Sequence, residues 1–362
     1  MILAAATLVL WCAGWLVLGR IRRCRRSGEV QSVSGKRLSI IIPARNEESN
    51  LPTLLRSLAS QAVRPGEIIV VDDASTDRTA DVAREHGARV VSSQPLPDGW
   101  RGKTWACHQG AQAATGDSLL FLDADTWFEP DGLNRVLSEF HAAGGGALSV
   151  APHHEVPRFH EQFSAFFNLV MLAGTGAFTL RGDGLTPRGL LGQFLLIERA
   201  VYERVGGHEA VKGRILENFW LAEQLRAAGV PLRCRAGRGV FAFRMYPNGW
   251  RELVEGWTKG FAGGAGQTPP AILWLVVAWT TGLMLAPLGL VLAGFGWPGW
   301  LTYGLCAAQV GWLLRQVGTF HWLTALLYPV PLVFYFAVFT RSVMRAKRGQ
   351  NVEWKGRQIR AD

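Results

Sequence analysis

The chain has 362 residues, of which 49% are hydrophobic and 15 are tryptophan, and its formal net charge is +10. That length suits one domain of about 200 to 250 residues plus further segments, and the apolar composition indicates that those segments are membrane-embedded. Basic residues concentrate at 20–26, 341–348 and 355–360 without a nucleic-acid motif beside them. The charge therefore excludes RNA and DNA as the favoured partners and indicates anionic lipid head groups.

The first predicted element is an uncharged run from Ile2 to Gly19. Five arginines follow it within seven residues, at 20, 22, 23, 25 and 26. This asymmetry is typical of a membrane helix whose downstream side is cytoplasmic, whereas a cleaved signal peptide would carry its charges before the run. We therefore predict an N-terminal transmembrane anchor at 1–20.

Strand-type and helix-type segments alternate through the next part of the chain. Apolar runs predict strands at 38–42, 67–71, 89–92 and 118–122, and amphipathic segments predict helices at 49–61, 77–86 and 103–115. Such alternation with right-handed crossovers gives an α/β, Rossmann-like, doubly wound and mostly parallel sheet. We expect this cytoplasmic domain to occupy 36–265.

Three acidic segments follow the first, second and fourth predicted strands: PARNEE at 43–48, DDASTD at 72–77 and DAD at 123–125. The carboxyl ends of parallel strands meet at one edge of the sheet, where α/β proteins bind ligands. No GxGxxG motif follows the first strand, which argues against a dinucleotide cradle. A different type of nucleotide site is expected there.

The acidic residues suggest how a nucleotide would bind. Asp123 and Asp125, two apart on an extended segment, suit a Mg²⁺ or Mn²⁺ ion that bridges diphosphate oxygens. Asp72, Asp73 and Asp77 suit hydrogen-bond donors on a base or ribose. Taken alone, DDASTD also fits a turn and a helix cap.

The C-terminal part is strongly apolar. The run at 271–295 is long enough to span a bilayer. The run at 301–314 is short for a membrane span and precedes Arg315, and the run at 320–340 contains Pro329 and Pro331. Three crossings would place the basic tail at 341–362 outside, against the positive-inside rule. We therefore predict a membrane region at 271–340 with two or three spans, in which 301–314 is re-entrant or interfacial, and a cytoplasmic tail at 341–362.

The order PARNEE, VDDASTD, Gly102–Lys103 and DAD resembles family 2 glycosyltransferases, which have the GT-A fold. DGWRGKTWACHQGA at 98–111, FSAFFNLV at 163–170, FRMYPNGWRELVEGWTKGFAGGAGQT at 243–268 and VEWKGRQ at 352–358 resemble the membrane-bound diaponeurosporenoate glycosyltransferase group. Members of that group attach a sugar to a carotenoid carboxylic acid. The resemblance implies an inverting, multi-pass cell-membrane enzyme with a cytoplasmic catalytic domain, and UDP-glucose is the expected donor.

The resemblance also implies roles for individual residues. Pro43, Glu47 and Asp73 would border the base and ribose, Lys103 the pyrophosphate and Asp123 the nucleotide sugar, while Asp125 would bind Mg²⁺ or Mn²⁺ and act in catalysis. Arg244, Trp257 and Lys259 would lie near the acceptor and diphosphate. The QxxRW motif of processive synthases is absent, which favours a single transfer.

The position of the catalytic base departs from the family pattern. Many family members have an acidic pair at the start of a helix, and Asn218 stands where the second acid is usual, so Glu217 is the nearest candidate. An alcohol acceptor needs a base, but a carboxylic acid is already ionised at neutral pH. We therefore expect a carboxylate acceptor, with Glu217 positioning rather than abstracting a proton.

Several alternatives remain open from the residues. Phe163 to Phe178 fits either an acceptor entrance at the bilayer surface or a buried core helix, and the Gly-rich loop at 260–266 fits either a gate or a linker. His153, His154 and His160 are expected to be loop or core residues rather than metal ligands. The acceptor could instead be a hydroxyl lipid of glycolipid or hopanoid type, or the protein an inactive membrane scaffold.

Overall fold

A computed structural model describes residues 2–25, 35, 37–214, 216–347, 352–354 and 357–359. The side chains of 259–266 and of residues from 347 onward lie outside that description. The helices are α1 (Ile2–Leu18), α2 (Leu51–Ala59), α3 (Thr79–Glu85), α4 (Gly102–Ala113), α5 (Gly132–Ala142), α6 (Ala165–Gly174), α7 (Arg199–Arg204), α8 (Glu217–Ala227), α9 (Trp250–Gln267), α10 (Pro270–Leu292), α11 (Trp297–Val317), α12 (Trp322–Leu326) and α13 (Pro329–Lys347).

The strands are β1 (Leu38–Ala44), β2 (Glu67–Asp72), β3 (Arg89–Ser92), β4 (Ser118–Leu122), β5 (Thr126–Phe128), β6 (Ala147–Ala151), β7 (His153–His154), β8 (Phe194–Glu198), β9 (Leu232–Ala236), β10 (Phe241–Phe243), β11 (Val352–Trp354) and β12 (Arg357–Ile359). Seven of them form one sheet in the order β3-β2-β1-β4-β8-β6-β9. Strands β1 to β4 are parallel neighbours, whereas β8 is antiparallel to both β4 and β6. The expected mostly parallel α/β sheet is confirmed.

Both faces of this sheet are buried, which explains the continuous apolar runs of its strands. Ile41 and Phe121 belong to one hydrophobic core, which includes residues of α4 and α6. Ile40 and Leu120 belong to a second core on the other face, with residues of α2, α3 and α5. Because successive side chains of a strand alternate between faces, each strand contributes to both cores.

A three-stranded sheet, β5-β10-β7, lies beside the main one. The sequence did not predict it, because strands of two or three residues carry too little alternation to be recognised. Residues 244–249, which follow β10, lead directly from this sheet into α9. Strand β10 thus brings the segment after Phe243 to the carboxyl edge of the large sheet.

The C-terminal helices pack against one another and against α1. Helix α1 lies along α10 and also contacts α11, and α13 contacts α6, α9 and α10. Among the described helices, Pro270–Leu292 is the one long and apolar enough to cross a membrane, by length and composition, and Ile2–Leu18 is apolar but has 17 residues.

One prediction about this region is wrong. Helix α9 continues through 260–266, where a Gly-rich loop was expected. Helix α11 extends over 21 residues and includes the 301–314 run, whose re-entrant or interfacial position stays a prediction. Helix α12 ends at Leu326, and α13 begins at Pro329, one of the two prolines of the 320–340 run.

The arginine-rich segment after α1 binds the α/β domain. Ala236 donates its N–H to the carbonyl of Arg22 at 2.7 Å. The guanidinium of Arg22 pairs with Asp183, and Arg25 lies 3.8 Å from Glu139. Part of the basic run predicted to meet lipid head groups is therefore neutralised by acids of the protein itself. Arg26 lies outside the described residues.

Candidate active site

A cleft at the carboxyl edge of the large sheet gathers most of the predicted site residues. Strands β2, β1 and β4 are neighbours, with Ala44 opposite Asp72, so the three acidic segments that follow them meet there. The cleft has a volume of about 640 Å³. Its lining includes Pro43, Glu47, Asp73, Lys103, Asp123, Asp125 and Arg244.

The loops after β1 and β2 are hydrogen-bonded to each other and form one wall of this cleft. Thr76 donates its N–H to Asn46 Oδ1 at 2.8 Å, and Glu47 donates its N–H to Thr79 Oγ1 at 2.8 Å. Asn46 and Ala74 have left-handed backbone, with φ of 52° and 54°. That conformation is unfavourable for residues with a Cβ and persists where surrounding bonds fix it. The wall is therefore rigidly shaped before any ligand binds.

Of the aspartates in 72–77, Asp73 is 5% exposed and lines the cleft. Asp72 instead accepts the N–H of Ser75 at 3.2 Å, and Asp77 accepts the N–H of Thr79 at 3.0 Å. Burial by itself would raise the pKa of the Asp77 carboxyl, but the hydrogen bonds from Thr79 outweigh burial and lower that pKa. Asp72 and Asp77 thus follow the turn-and-cap interpretation, and Asp73 remains as the ligand-facing acid.

The turn after β4 places Asp123 and Asp125 on the cleft. Thr126 Oγ1 donates to the carbonyl of Asp123 at 2.6 Å and fixes the turn. Burial, together with the carboxylates of Asp123 and Glu47, raises the pKa of Asp125 to about 7, although Lys103 acts in the opposite direction. Like charges are therefore concentrated at Asp125, and a bound cation would relieve that repulsion.

Lys103, in the first turn of α4, is the centre of a polar cluster. Its Nζ donates to the carbonyl of Gly192 at 3.0 Å and lies 2.6 Å from Asp123 Oδ1 and 3.9 Å from Glu217 Oε1. Burial lowers the pKa of Lys103, but the attraction of Asp123 and Glu217 outweighs it and raises the pKa overall. These contacts distinguish Lys103 from a solvated lysine at a helix start, because they hold its positive charge at the cleft.

Glu217 is the first residue of α8 and follows Leu216, whose φ is 56°. It is not among the residues that line the large cleft. It lines a small void of about 10 Å³ together with Lys103, Asp123 and Asn218. Asn218 Nδ2 donates to Glu217 Oε1 at 3.2 Å. Glu217 therefore contacts the cleft through Lys103.

Arg244 is held at the cleft by a buried acid that sequence reasoning missed. Its Nε and Nη2 lie 2.9 and 2.8 Å from Glu161 Oε1, and the Glu161 side chain is fully buried. The second carboxylate oxygen of Glu161 accepts the N–H of Arg158 at 2.8 Å. Because Glu161 and Arg244 are far apart in the chain, no local motif indicates the pair. The result is a guanidinium fixed in direction, with a planar face suited to carboxylate or phosphate.

Trp257 lies apart from the predicted donor residues. It lines a second cavity of about 520 Å³, where it donates from Nε1 to Ser164 Oγ at 3.1 Å and stacks on Phe167 with ring centroids 4.7 Å apart. Lys259 belongs to the same helix, but its side chain lies outside the described part of the chain. Trp257 thus lies at the second cavity and not beside the acids.

Tyr246 is a further residue that sequence reasoning did not select. It lines both the polar cleft and the second cavity, and its φ of 58° is left-handed. His160 Nε2 lies 3.0 Å from its carbonyl oxygen. Burial, and then the carboxylates of Asp125 and Glu252, raise the pKa of the Tyr246 hydroxyl, which stays protonated at neutral pH. The Pro247–Gly249 turn signal after it was the available clue.

The donor set fits a divalent cation that takes most of its ligands from a substrate. Asp123 and Asp125 supply hard carboxylate oxygens, and burial, followed by the carboxylates of Asp123 and Glu47, raises the pKa of Asp125. Within the described ranges, no three His, Cys, Asp or Glu side chains are arranged to hold a metal ion. Mg²⁺ is commonly bound by one or two carboxylates together with substrate phosphates, so the pair suits a metal–diphosphate complex and not a protein-only cage.

Residues 39–206 match the profile of Glycosyl transferase family 2. The chain is 37% identical over 348 residues to the 4,4'-diaponeurosporenoate glycosyltransferase of Staphylococcus aureus strain MRSA252, which covers 93% of this chain and 92% of that protein. The enzyme from strain USA300 is 37% identical over 352 residues, with the same coverage. A solved mannosyltransferase from Pyrobaculum calidifontis, in complex with GDP-mannose and Mn²⁺, aligns with 95% of this chain and 98% of its own at a TM-score of 0.56 and 18% identity. That likeness shows a GT-A-like fold.

Proposed function

The chain belongs to glycosyl transferase family 2 and is a sugar-nucleotide-dependent glycosyltransferase, and from that premise we propose that it moves glucose from UDP-glucose to a carotenoid carboxylic acid in the lipid phase. The product is a glycosyl ester. One observation carries the proposal: the acid-rich cleft shares Tyr246 and Gly256 with a cavity lined by uncharged side chains. The Staphylococcus aureus relatives are named for a carotenoid acid.

In this proposal the polar cleft binds the donor. Pro43, Glu47 and Asp73 border the base and ribose, because they lie on the wall formed by the loops after β1 and β2. Asp123 contacts the sugar end of the nucleotide. Lys103, whose charge is fixed by Asp123, lies near the pyrophosphate. The volume of about 640 Å³ is within the range of pockets that bind ligands of this size.

Asp125, with Asp123 beside it, would hold Mg²⁺ or Mn²⁺. When bound, the ion offsets negative charge on the departing diphosphate. The carboxylate pair supports this assignment, as does the raised pKa of Asp125, which burial and the neighbouring carboxylates produce. The Pyrobaculum calidifontis mannosyltransferase was solved with Mn²⁺.

The proposed transfer is a displacement at C1 of the sugar. An acceptor carboxylate oxygen bonds to C1 while the bond from C1 to the diphosphate oxygen breaks, so the diphosphate leaves with the electron pair and the configuration inverts. The acceptor has a pKa of about 4 to 5 and is already ionised at neutral pH, so no proton is removed. Glu217 then acts as a positioning residue through Lys103, and Arg244 and Lys259 are assigned to the acceptor and diphosphate side.

We further propose that the enzyme is a multi-pass cell-membrane protein with its catalytic domain in the cytoplasm. Its parts are an anchor at 1–20, the GT-A domain at 36–265, a membrane region at 271–340 and a tail at 341–362. The apolar α10 supports this organisation, as does the packing of α1 along it. A carotenoid acceptor dissolves in the membrane, which gives such an enzyme direct access to it.

The test is a transfer assay with protein held in nanodiscs. UDP-glucose or GDP-mannose is supplied with Mn²⁺ and a panel of carotenoid acids and hydroxyl lipids, and nucleotide release is followed together with lipid mass. We expect a hexose on the carboxylate, formed from UDP-glucose and absent in Asp125→Ala. Asp131→Ala, in an acid beyond the residues that line the cleft, is the control. Transfer to hydroxyl lipids alone would overturn the ester assignment. If neither donor gives nucleotide release or a glycosylated lipid with any acceptor, the inactive-scaffold alternative is favoured.

A further inference from the structure

We propose that the cavity between α6, α9, α10 and α13 binds the hydrocarbon chain of the acceptor, with the reacting end of the acceptor at Tyr246 and Gly256. The ligand class is a long, uncharged polyene or acyl chain with one polar terminus. This inference rests on the proposed function and adds the place where the acceptor lies. It also assigns a role to Trp257, which the donor cleft does not explain.

The lining of this cavity matches that class of ligand. Its volume is about 520 Å³, and among the side chains that the structure describes, those that line it carry no formal charge. Val170 and Met171 of α6, Trp257 of α9, Val277 of α10 and Phe336 of α13 represent the four helices. Small-molecule sites are typically concave, mostly apolar and about 300 to 1,000 Å³. An apolar chain would gain burial there without leaving a charge unpaired.

The junction with the donor cleft is built from close aromatic packing. Gly256 allows the ring of Tyr246 to lie directly on α9, because a Cβ at that position would overlap the ring. Tyr246 meets Trp257 edge to face with centroids 5.5 Å apart, and Trp257 stacks on Phe167. These rings form a fixed wall between the two spaces. A chain that follows this wall delivers its terminus into the acid-rich cleft.

The polar side of the junction suits a carboxylate terminus. Arg244 lines the cleft next to Tyr246, and its direction is fixed by the buried Glu161. A guanidinium held in this way recognises planar carboxylates well. The apolar side of this wall therefore suits the hydrocarbon chain of an amphipathic acid, and the side that faces Arg244 suits its carboxylate.

The outer side of the cavity is accessible from the surface of α10 and α13. Trp274 is 71% exposed, Val277 43% and Phe336 37%, although all three line the cavity. Helix α10 is also the described helix that is long and apolar enough to cross a membrane. An acceptor dissolved in lipid would therefore enter sideways, between α10 and α13, without passing through water.

Val277→Trp tests the assignment by filling the cavity from its outer side. The matched control is Val291→Trp on the same helix, because Val291 is 59% exposed and is not a lining residue. We expect Val277→Trp to reduce kcat/KM for a carotenoid acid at least tenfold, mainly through KM. The KM for UDP-glucose and the melting temperature should match those of Val291→Trp. Equal acceptor KM values in the two variants would overturn the proposal.

A binding experiment separates this inference from the proposed function. All-trans-retinoic acid, a polyene carboxylic acid, is titrated into the protein without donor, and quenching of tryptophan fluorescence is measured. We expect at least tenfold weaker binding in Val277→Trp than in the wild type or Val291→Trp. If this difference is present but no acceptor receives sugar, the cavity assignment stands and the proposed function fails.

A second variant covers the case in which Val277→Trp does not fold. Phe336→Ala enlarges the cavity at a residue that is already 37% exposed, so it costs less stability than truncation of a fully buried phenylalanine. We expect it to change the preference among acceptors of different chain bulk at least fivefold, with an unchanged KM for UDP-glucose. An acceptor profile identical to that of the wild type would contradict the assignment.

Discussion

At the scale of single residues, the ammonium group of Lys103 connects three separate parts of the chain. Lys103 comes from the start of α4, Asp123 from the end of β4 and Glu217 from the start of α8, and the lysine lies between the two acids. The acids would repel each other without it, because both are partly shielded from water. Glu217 is therefore coupled to the cleft by charge and not by direct exposure.

Glu217→Gln should reduce transfer to a carboxylate acceptor less than tenfold. The glutamine keeps an oxygen for Asn218 and removes only a charge that, in this proposal, abstracts no proton. The assay compares kcat with the carotenoid acid and the Kd for UDP in both proteins. Glu223→Gln, on the exposed side of the same helix, is the control. A loss of three or more decades in kcat with intact UDP binding would instead identify Glu217 as a base and favour a hydroxyl acceptor.

Glu161→Gln should raise the KM for whichever substrate Arg244 contacts, donor or acceptor, about tenfold, while kcat changes little. The substitution leaves Arg244 in place but removes the buried charge that fixes its direction. Tenfold corresponds to about 1.4 kcal/mol, a modest fraction of what a buried charge pair contributes when one partner is removed. KM is measured separately for donor and acceptor to show which of them Arg244 contacts. Glu85→Gln, in an exposed pair with Arg78, should leave both KM values unchanged.

At the scale of elements, glycines allow α1 and α10 to approach closely. A Cβ at Gly282 would lie 2.9 Å from the backbone nitrogen of Trp11 and from the Cβ of Leu10. Trp279, one turn earlier on α10, is fully buried and donates from Nε1 to Gln309 Oε1 of α11 at 2.8 Å. The three helices thus form one tightly packed group, held by contacts between residues far apart in the chain.

Gly282→Ala should destabilise this group by about 1 to 3 kcal/mol, the usual cost of overpacking a close contact. Gly289→Ala is the matched control on the same helix, because its Cβ would be 3.5 Å from the nearest atom, Leu3 Cδ2. Melting temperature in detergent is the measurement, and UDP binding should persist in both variants below the transition. Equal melting temperatures for the two variants would show that α1 is not packed on α10 in this way.

At the scale of the whole molecule, three uncharged histidines are shielded from water: His154 and His208 are buried, and His153, next to His154 in β7, is half-buried. Burial, and then the nearby positive charges, lowers the pKa of His153 to about 4 and those of His154 and His208 to about 3. His154 lies at the contact between the small sheet and Phe320, whereas His208 packs on Phe121 of the large sheet. Protonation of these rings requires the surrounding structure to open.

The contribution of these histidines to the free energy of unfolding should therefore fall as the pH drops below about 6.5. Between that value and their folded pKa values, each histidine binds more protons in the unfolded chain than in the folded one, so its contribution rises with pH by up to about 1.4 kcal/mol per unit. Asp125 acts in the opposite direction, because its pKa is raised to about 7 in the folded protein, and the test therefore compares variants. The measurement is the change in melting temperature between pH 7.5 and 5.5: acidification should lower that of His208→Gln less than that of the wild type, and the exposed His86→Gln should match the wild type. An equal pH dependence in His208→Gln and the wild type would contradict the prediction.

Four strands of the large sheet, β1 to β4, were predicted because their apolar runs are bounded by turn residues. The predicted bounds of β3 and β4 agree with the structure residue by residue. In contrast, the short β5 and β7 pair with β10, which lies far from both in the chain, and no local pattern marks them. The glycines at 260–266 predicted a loop, but α9 is helical through them because packing against α13 and α6 overrides intrinsic propensity.

By itself, the sequence determined the family, the α/β sheet and the edge at which the acids meet, because parallel strands necessarily bring their carboxyl ends together. The tertiary structure alone decided how these side chains contact one another. It placed Glu217 behind Lys103 and joined Arg244 to Glu161. It also showed that Tyr246 lines both the polar cleft and the apolar cavity. These features depend on distances between segments remote in the chain, which long-range packing sets and local patterns do not record.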